Sequence, residues 1–180
     1  MEETNWLTAD QLEDWRALMA LISALPAALD GQLKRDSCVT SFEYHVMAAL
    51  SESPGRSLPM SVLATWSNGS MSRLSHVVAR LEKAGWVERQ DSQLDGCRTE
   101  AHLTEAGWLK IQQTAPGHVQ EARRLVVDVL SPEELKALGA AARTIVQVAN
   151  PRLVARLARS SEATPRTSCA GSEHDGARLR

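Results

Sequence analysis

Ser70-Met71-Ser72-Arg73-Leu74-Ser75-His76-Val77-Val78-Ala79-Arg80-Leu81-Glu82-Lys83-Ala84-Gly85 decides how the rest of the chain is read. Leu74, Val77, Val78 and Leu81 recur at i, i+3, i+4 and i+7, the spacing of one buried helix face. Ser70 is a suitable N-cap. Gly85 stands just past the end of the helix, where a positive φ is usually needed. The other face shows Ser72, Arg73, Ser75, His76 and Arg80, gathered toward the N-terminal half. Taken alone, that face is either a solvated polar surface or a set of hydrogen-bonding groups held out to a partner.

The flanking sequence favours the second. A short helix, Met60–Trp66, and a tight turn, Ser67-Asn68-Gly69, come before. Two short strands follow, Trp86–Arg89 and Arg98–Leu103, joined by the polar loop Gln90–Cys97. Helix, turn, helix and β-hairpin is the order of a winged helix-turn-helix, which lays its second helix in the DNA major groove. Hydroxyls and guanidinium forks at the N-terminal end of that helix are suited to base edges and phosphates.

Long helices are expected on both sides. Thr8–Arg35 opens with a capping box, Thr8-x-x-Gln11, and carries an apolar stripe of Leu12, Trp15, Leu18 or Met19, Ile22, Leu25, Leu29 and Leu33. Pro26 lies inside it and predicts a kink or break. The stripe is longer than one neighbouring helix would cover, so it is either a subunit surface or a plain core face. Thr40–Glu52 has a second capping box, Thr40-x-x-Glu43, with Phe42, Val46, Met47 and Leu50 on its buried side. Ser53-Pro54-Gly55-Arg56 ends it, and Pro59 is placed at the first position of the short helix. After the hairpin Thr104 caps a helix to Leu130, with a bend expected at Pro116-Gly117. Ser131-Pro132-Glu133-Glu134 starts another, running to about Asn150, with a last piece reaching Ala158. The fold class is therefore mainly α with a small two- or three-stranded β wing: a winged helix-turn-helix domain flanked by long, apolar-striped helices. The division is 1–39 for the N-terminal helix and linker, 40–104 for the winged domain and 105–159 for the C-terminal helices. Residues 160–180, rich in Ser, Thr, Gly, Pro and Arg, read as a disordered tail.

Composition bounds the function. The chain has 180 residues and a formal net charge of −2, which is not the basic footprint usual for nucleic-acid binding. Positive charge must be local, from Arg73, Arg80, Lys83, Arg89 and Arg98, with Glu82, Glu88, Asp91 and Asp95 among them. No apolar run has the length of a membrane span. The start, Met-Glu-Glu-Thr, shows no signal peptide, and Cys38, Cys97 and Cys169 form no disulfide framework. A cytoplasmic protein is expected. There is no Gly-rich phosphate loop and no Gly-x-Ser-x-Gly turn, so nothing points to an enzyme or to a cofactor.

The run Ser72 to Arg89 resembles the recognition helix and first wing strand of MarR-family transcriptional regulators. Leu103-Thr104-Glu105-Ala106-Gly107 resembles the family's Leu-Thr-x-x-Gly, and the helix order over roughly residues 8–158 matches too. The resemblance implies a homodimer built from Thr8–Arg35, Thr104–Leu130 and Ser131–Ala158. It implies recognition helices in successive major grooves of a pseudo-palindromic operator, with wings in the flanking minor grooves. On that basis Arg73, Ser75 and His76 are candidates for base edges, and Ser70 and Ser72 for phosphate. Arg80 is expected on phosphate, or else paired with Glu82 or a residue of another subunit. Arg89 and Arg98 are the wing candidates. The family's wing usually carries Asp-x-Arg; here Asp95-Gly96-Cys97-Arg98 puts Cys97 in the Arg slot.

The resemblance also implies a repressor released by a small organic effector. Such a ligand would bind between the dimer helices and the winged domain, with Trp15, Met19, Tyr44, His45 and His118 as candidate lining. A cysteine-based redox-sensing regulator of the same fold is an alternative. Cys38, beside Arg35 and Asp36, and Cys97 on the wing are its candidates. A winged-helix module for protein contacts, without DNA, is a further one. His45, His76, His102 and His118 share no ligand spacing, so no metal site is expected.

Overall fold

The computed structural model describes residues 4–66, 70–91, 99–151 and 153. In order these form α1 (Ala9–Ser37), α2 (Ser41–Ser51), a 3₁₀ turn (Pro54–Arg56), β1 (Ser57–Pro59), α3 (Met60–Trp66) and α4 (Met71–Lys83). Then come β2 (Val87–Asp91), β3 (Thr99–Leu103), α5 (Glu105–Ala122), a π-helical turn (Arg123–Val127) and α6 (Pro132–Ala149). The turn 67–69, the wing loop 92–98 and the expected tail lie outside the described residues.

Helix starts follow local chemistry. Capping boxes at Thr8/Gln11, Thr40/Glu43 and Ser131/Glu134 each close reciprocally, so two otherwise orphaned N–H groups are satisfied at each start. The end of α4 is equally local. Trp86 N–H donates to the Leu81 carbonyl and Gly85 N–H to the Glu82 carbonyl, both at 2.9 Å. Gly85 turns at φ 74°, the left-handed stop that the sequence predicts.

Neither proline breaks its helix. Helix α1 continues through Pro26, and α5 continues through Pro116 and Gly117. Both prolines are exposed, so the carbonyl each one orphans can be met by water. Gly117 also leaves room for Gln32 of α1, whose Nε2 lies 3.4 Å from where a Cβ would stand. The irregularity comes later, where Asp128 N–H donates to the Arg123 carbonyl at 2.8 Å, an i to i+5 bond. At the C-terminal end Asn150 leaves helical space, and Leu153 N–H closes a new turn on the Asn150 carbonyl.

The wing sheet has three antiparallel strands in the order β1-β3-β2. The hairpin pairs Val87 with Leu103 and Asp91 with Thr99, while β1 pairs Ser57 with His102 and Pro59 with Glu100. Pro59 therefore ends an edge strand instead of opening α3, a place where its missing N–H is tolerated.

The buried apolar core runs from Leu33 to Ile111: Leu33, Val46, Met47, Leu50, Leu63, Leu74, Val78, Leu81 and Leu103 are almost wholly excluded from solvent. Helix α1 contributes only its last turns, and α6 buries no residue. Their apolar side chains stand open. Trp15 is 49% exposed, Ile22 55%, Ile145 52% and Val148 84%. The expected stripe on α1 is therefore a surface in this chain, and α6 has another.

Candidate nucleic-acid interface

Helix α4 is set into the core by the ridge Leu74, Val77, Val78 and Leu81. At 100° per residue, the line opposite that ridge is Ser72, His76, Ala79 and Lys83, and all four are exposed. Ser70 accepts the Arg73 N–H at 3.2 Å, so its hydroxyl is used as the N-cap. Ser75 and Met71 are exposed on one flank, Arg73 and Arg80 on the other.

Three of the four arginines expected to meet DNA, Arg73, Arg80 and Arg89, are engaged within the chain. The Arg73 guanidinium lies over the Phe42 ring, 4.5 Å from its centroid. Arg80 pairs with Glu43 of α2 at 3.1 Å, not with Glu82. Glu82 instead takes Arg89, at 3.4 Å to the guanidinium and 3.2 Å to the backbone N–H. Arg89 also donates to the Ser75 carbonyl at 2.9 Å. The first wing strand is thus stapled to the recognition helix. Arg98 and Cys97 lie outside the described residues.

The far side of the wing is fixed at Thr104. Its N–H donates to the Trp86 carbonyl at 3.1 Å and its hydroxyl to the Gly85 carbonyl at 2.7 Å. The same hydroxyl accepts the Gly107 N–H at 3.0 Å and so caps α5. A Cβ on Gly107 would run into the Trp86 carbonyl group. The spacing Thr104-x-x-Gly107 therefore locks the start of α5 against the turn after α4.

The sequence marks Phe42 as core and Glu43 as a cap; the structure brings both onto the arginines of α4. Asp30 of α1 was not singled out. Its carboxylate accepts the Ser41 N–H at 2.8 Å and pairs with Lys34 at 2.6 Å, and both hold it below the usual carboxylate range. No local pattern announces these contacts, because each joins separate helices through the fold. Between them lies a cleft of about 370 Å³, lined by Asp30 and Lys34, Ser41 and Phe42, Arg73 and Arg80.

Three of the five effector candidates meet. Tyr44 and His118 rings lie 4.5 Å apart between centroids, and His45 is 6.5 Å from His118. Burial, then the neighbouring His45, lowers the His118 pKa; burial, then the Glu52 charge, raises that of Tyr44. Gln32 Oε1 and His118 Nδ1 are buried without a hydrogen-bond partner among the described residues. Trp15 and Met19 do not join: they lie about 25 Å and about 20 Å along α1 from Gln32. Cys38 is exposed at the end of α1, in the left-handed region at φ 55°. Among the described residues no group of three or more His, Cys, Asp or Glu side chains is placed for a metal. No described helix is long and apolar enough to cross a membrane.

No family model and no curated protein matches the chain. Solved structures do. Sco3205 of Streptomyces coelicolor, a MarR family transcriptional regulator in complex with DNA, is 41% identical, with a TM-score of 0.80 over 84% of this chain and 94% of that one. AbsC, a MarR family transcriptional regulator of the same organism, is 35% identical, with a TM-score of 0.78 over 82% and 99%. PcaV, another Streptomyces coelicolor regulator, in complex with its natural ligand, shares the fold at 19% identity, with a TM-score of 0.63 over 83% and 100%.

Proposed function

Because this chain belongs to the MarR family of transcriptional regulators, we propose that it binds a pseudo-palindromic DNA operator as a homodimer and is released by a small organic effector. The observation that carries the reading is α4. Its outward line of Ser72, His76, Ala79 and Lys83 is presented by a capped helix that is tied to the wing at Ser75 and Glu82 and, just past its end, at Gly85. A 41% identical regulator has been solved on DNA. Ser72, Ser75 and His76 are the groups we assign to base edges, Ser70 and the arginines to the backbone.

The open apolar faces of α1 and α6 support the dimer, since stripes of this length on a single chain call for cover. On this reading residues 1–39 and 105–159 hold the dimer together, and 40–104 carry DNA. Two-fold symmetry then matches the palindrome. An effector needs differential affinity for two dimer states. The Tyr44, His45 and His118 cluster lies where α2 meets α5, and Trp15 and Met19 would reach it only from a second copy. Action as a repressor in the cytoplasm, without catalysis, completes the reading.

The test is selection of a duplex from a random pool by the full chain, followed by fluorescence anisotropy at two salt concentrations. Selective, salt-sensitive binding that Arg73→Ala and His76→Ala each weaken supports the reading. His76→Ala should cost roughly tenfold and relax selectivity at one position per half-site, the loss of a base contact. A folded dimer that selects no duplex would refute it and favour a winged helix used for protein contacts.

A further inference from the structure

We propose that Glu43 is an affinity-setting residue of the DNA interface: it competes with DNA phosphate for Arg80. The inference rests on the DNA-binding reading above. The two guanidinium groups on one flank of α4, two turns apart, both dock on the first turn of α2, Arg73 on Phe42 and Arg80 on Glu43. Neither points along the outward line of the helix.

The pair is asymmetric in a way that assigns the roles. The Glu43 side chain is 12% exposed, while that of Arg80 is 60% exposed. Glu43 Oε2 is already taken by the Thr40 N–H at 2.7 Å and by the Thr40 hydroxyl at 2.8 Å. Glu43 therefore cannot swing away; it is a fixed acceptor whose second oxygen faces Arg80. Arg80 is the exposed member and has solvent on its other side. A carboxylate oxygen and a phosphate oxygen ask for the same N–H donors of a guanidinium. DNA must take Arg80 from Glu43 or share it, and the fixed negative charge repels the phosphate that comes to do so. Seating on DNA thus carries a built-in opposing contact in each protomer, small enough for a polyanion to overcome.

Glu43→Gln isolates this contact. Glutamine at the same position completes a capping box as glutamate does, so the start of α2 keeps its hydrogen bonds while the charge is lost. With the selected duplex and the full-length dimer, Glu43→Gln should bind roughly two- to fivefold tighter per protomer, hence about four- to twenty-five-fold for both half-sites. The plot of log affinity against log salt should steepen by about 0.9 for each arginine handed to a phosphate. In an Arg80→Ala background the same substitution should tighten binding far less, by the relief of charge repulsion alone, and should leave the slope unchanged. Unchanged or weaker binding by Glu43→Gln overturns the inference. Equal tightening with and without Arg80 overturns it too, since the effect is then general removal of charge near DNA. If the wild-type chain selects no duplex, the DNA-binding reading fails first and this inference with it. A wild-type chain that binds while Glu43→Gln leaves binding unmoved overturns the inference alone.

Discussion

Gly107→Ala is the substitution whose cost the structure defines best. Its Cβ would stand 2.7 Å from Leu103 Cδ1 and 2.9 Å from the Trp86 carbonyl carbon, and nearer still to the Trp86 oxygen. Leu103 could turn aside, but the Trp86 backbone is held, because its carbonyl accepts the Thr104 N–H at 3.1 Å. Relief means moving α5 away from the wing, or losing that hydrogen bond and part of the Thr104 cap. Overpacking of this kind costs about 1–3 kcal/mol, and one net hydrogen bond adds about 1 kcal/mol. A total of about 2–4 kcal/mol lowers the thermal midpoint by roughly 5–15 °C for a chain of this size. Circular dichroism melts at one fixed protein concentration measure it. Gly31→Ala is the control: its Cβ meets only Arg35 Nη1, at 3.2 Å, the far end of a flexible side chain. An alanine inside α1 should stabilise by about 0.5–1 kcal/mol. If Gly107→Ala melts within 2 °C of the wild type, the close approach of α5 to Trp86 is wrong, and with it the reason given for the Thr104-x-x-Gly107 spacing.

Other outcomes follow from the same contacts. His118 has a lowered pKa in the fold, so the unfolded chain binds the proton more readily; stability should be full above the ordinary value of 6.5 and decline as pH falls below it. Melts from pH 7.5 to 5.5 should show this decline, and His118→Phe should flatten it; an unchanged slope in the variant would assign the decline to other groups. Cys38→Gly relieves a side chain held at φ 55° and should raise stability by about 0.5–1 kcal/mol, read as a midpoint increase of roughly 1–4 °C. Thr104→Val removes the hydroxyl that bonds Gly85 and caps α5 and should cost about 2 kcal/mol, read in the same melts.

The elements of the winged region were legible because their signals are local. An i, i+3, i+4, i+7 ridge, a Ser cap and a Gly stop define α4 within sixteen residues, and the structure places each where the sequence does. The capping boxes are local in the same sense: N-cap and N3 are three residues apart and meet whatever the rest of the chain does. The hairpin was legible as two short runs joined by a polar loop, and the resemblance to MarR regulators drew on these same words.

Local breakers were less reliable, because a helix at the surface survives an exposed proline. Neither Pro26 nor Pro116 breaks its helix, whereas the π turn at 123–127 carries no comparable mark. The third strand, Ser57–Pro59, is too short to have a period of its own and exists only because β3 lies beside it.

The sequence by itself determined the helices, their caps, the wing hairpin and the polar face of α4, since these depend on neighbours within one or two turns. Only the tertiary structure decided what each charged group on that face is doing. Arg73 meets Phe42, Arg80 meets Glu43 and Arg89 meets Glu82. Partners seven to thirty-seven residues away are chosen by how helices pack, and a side chain's electrostatic role depends on which partner it finds.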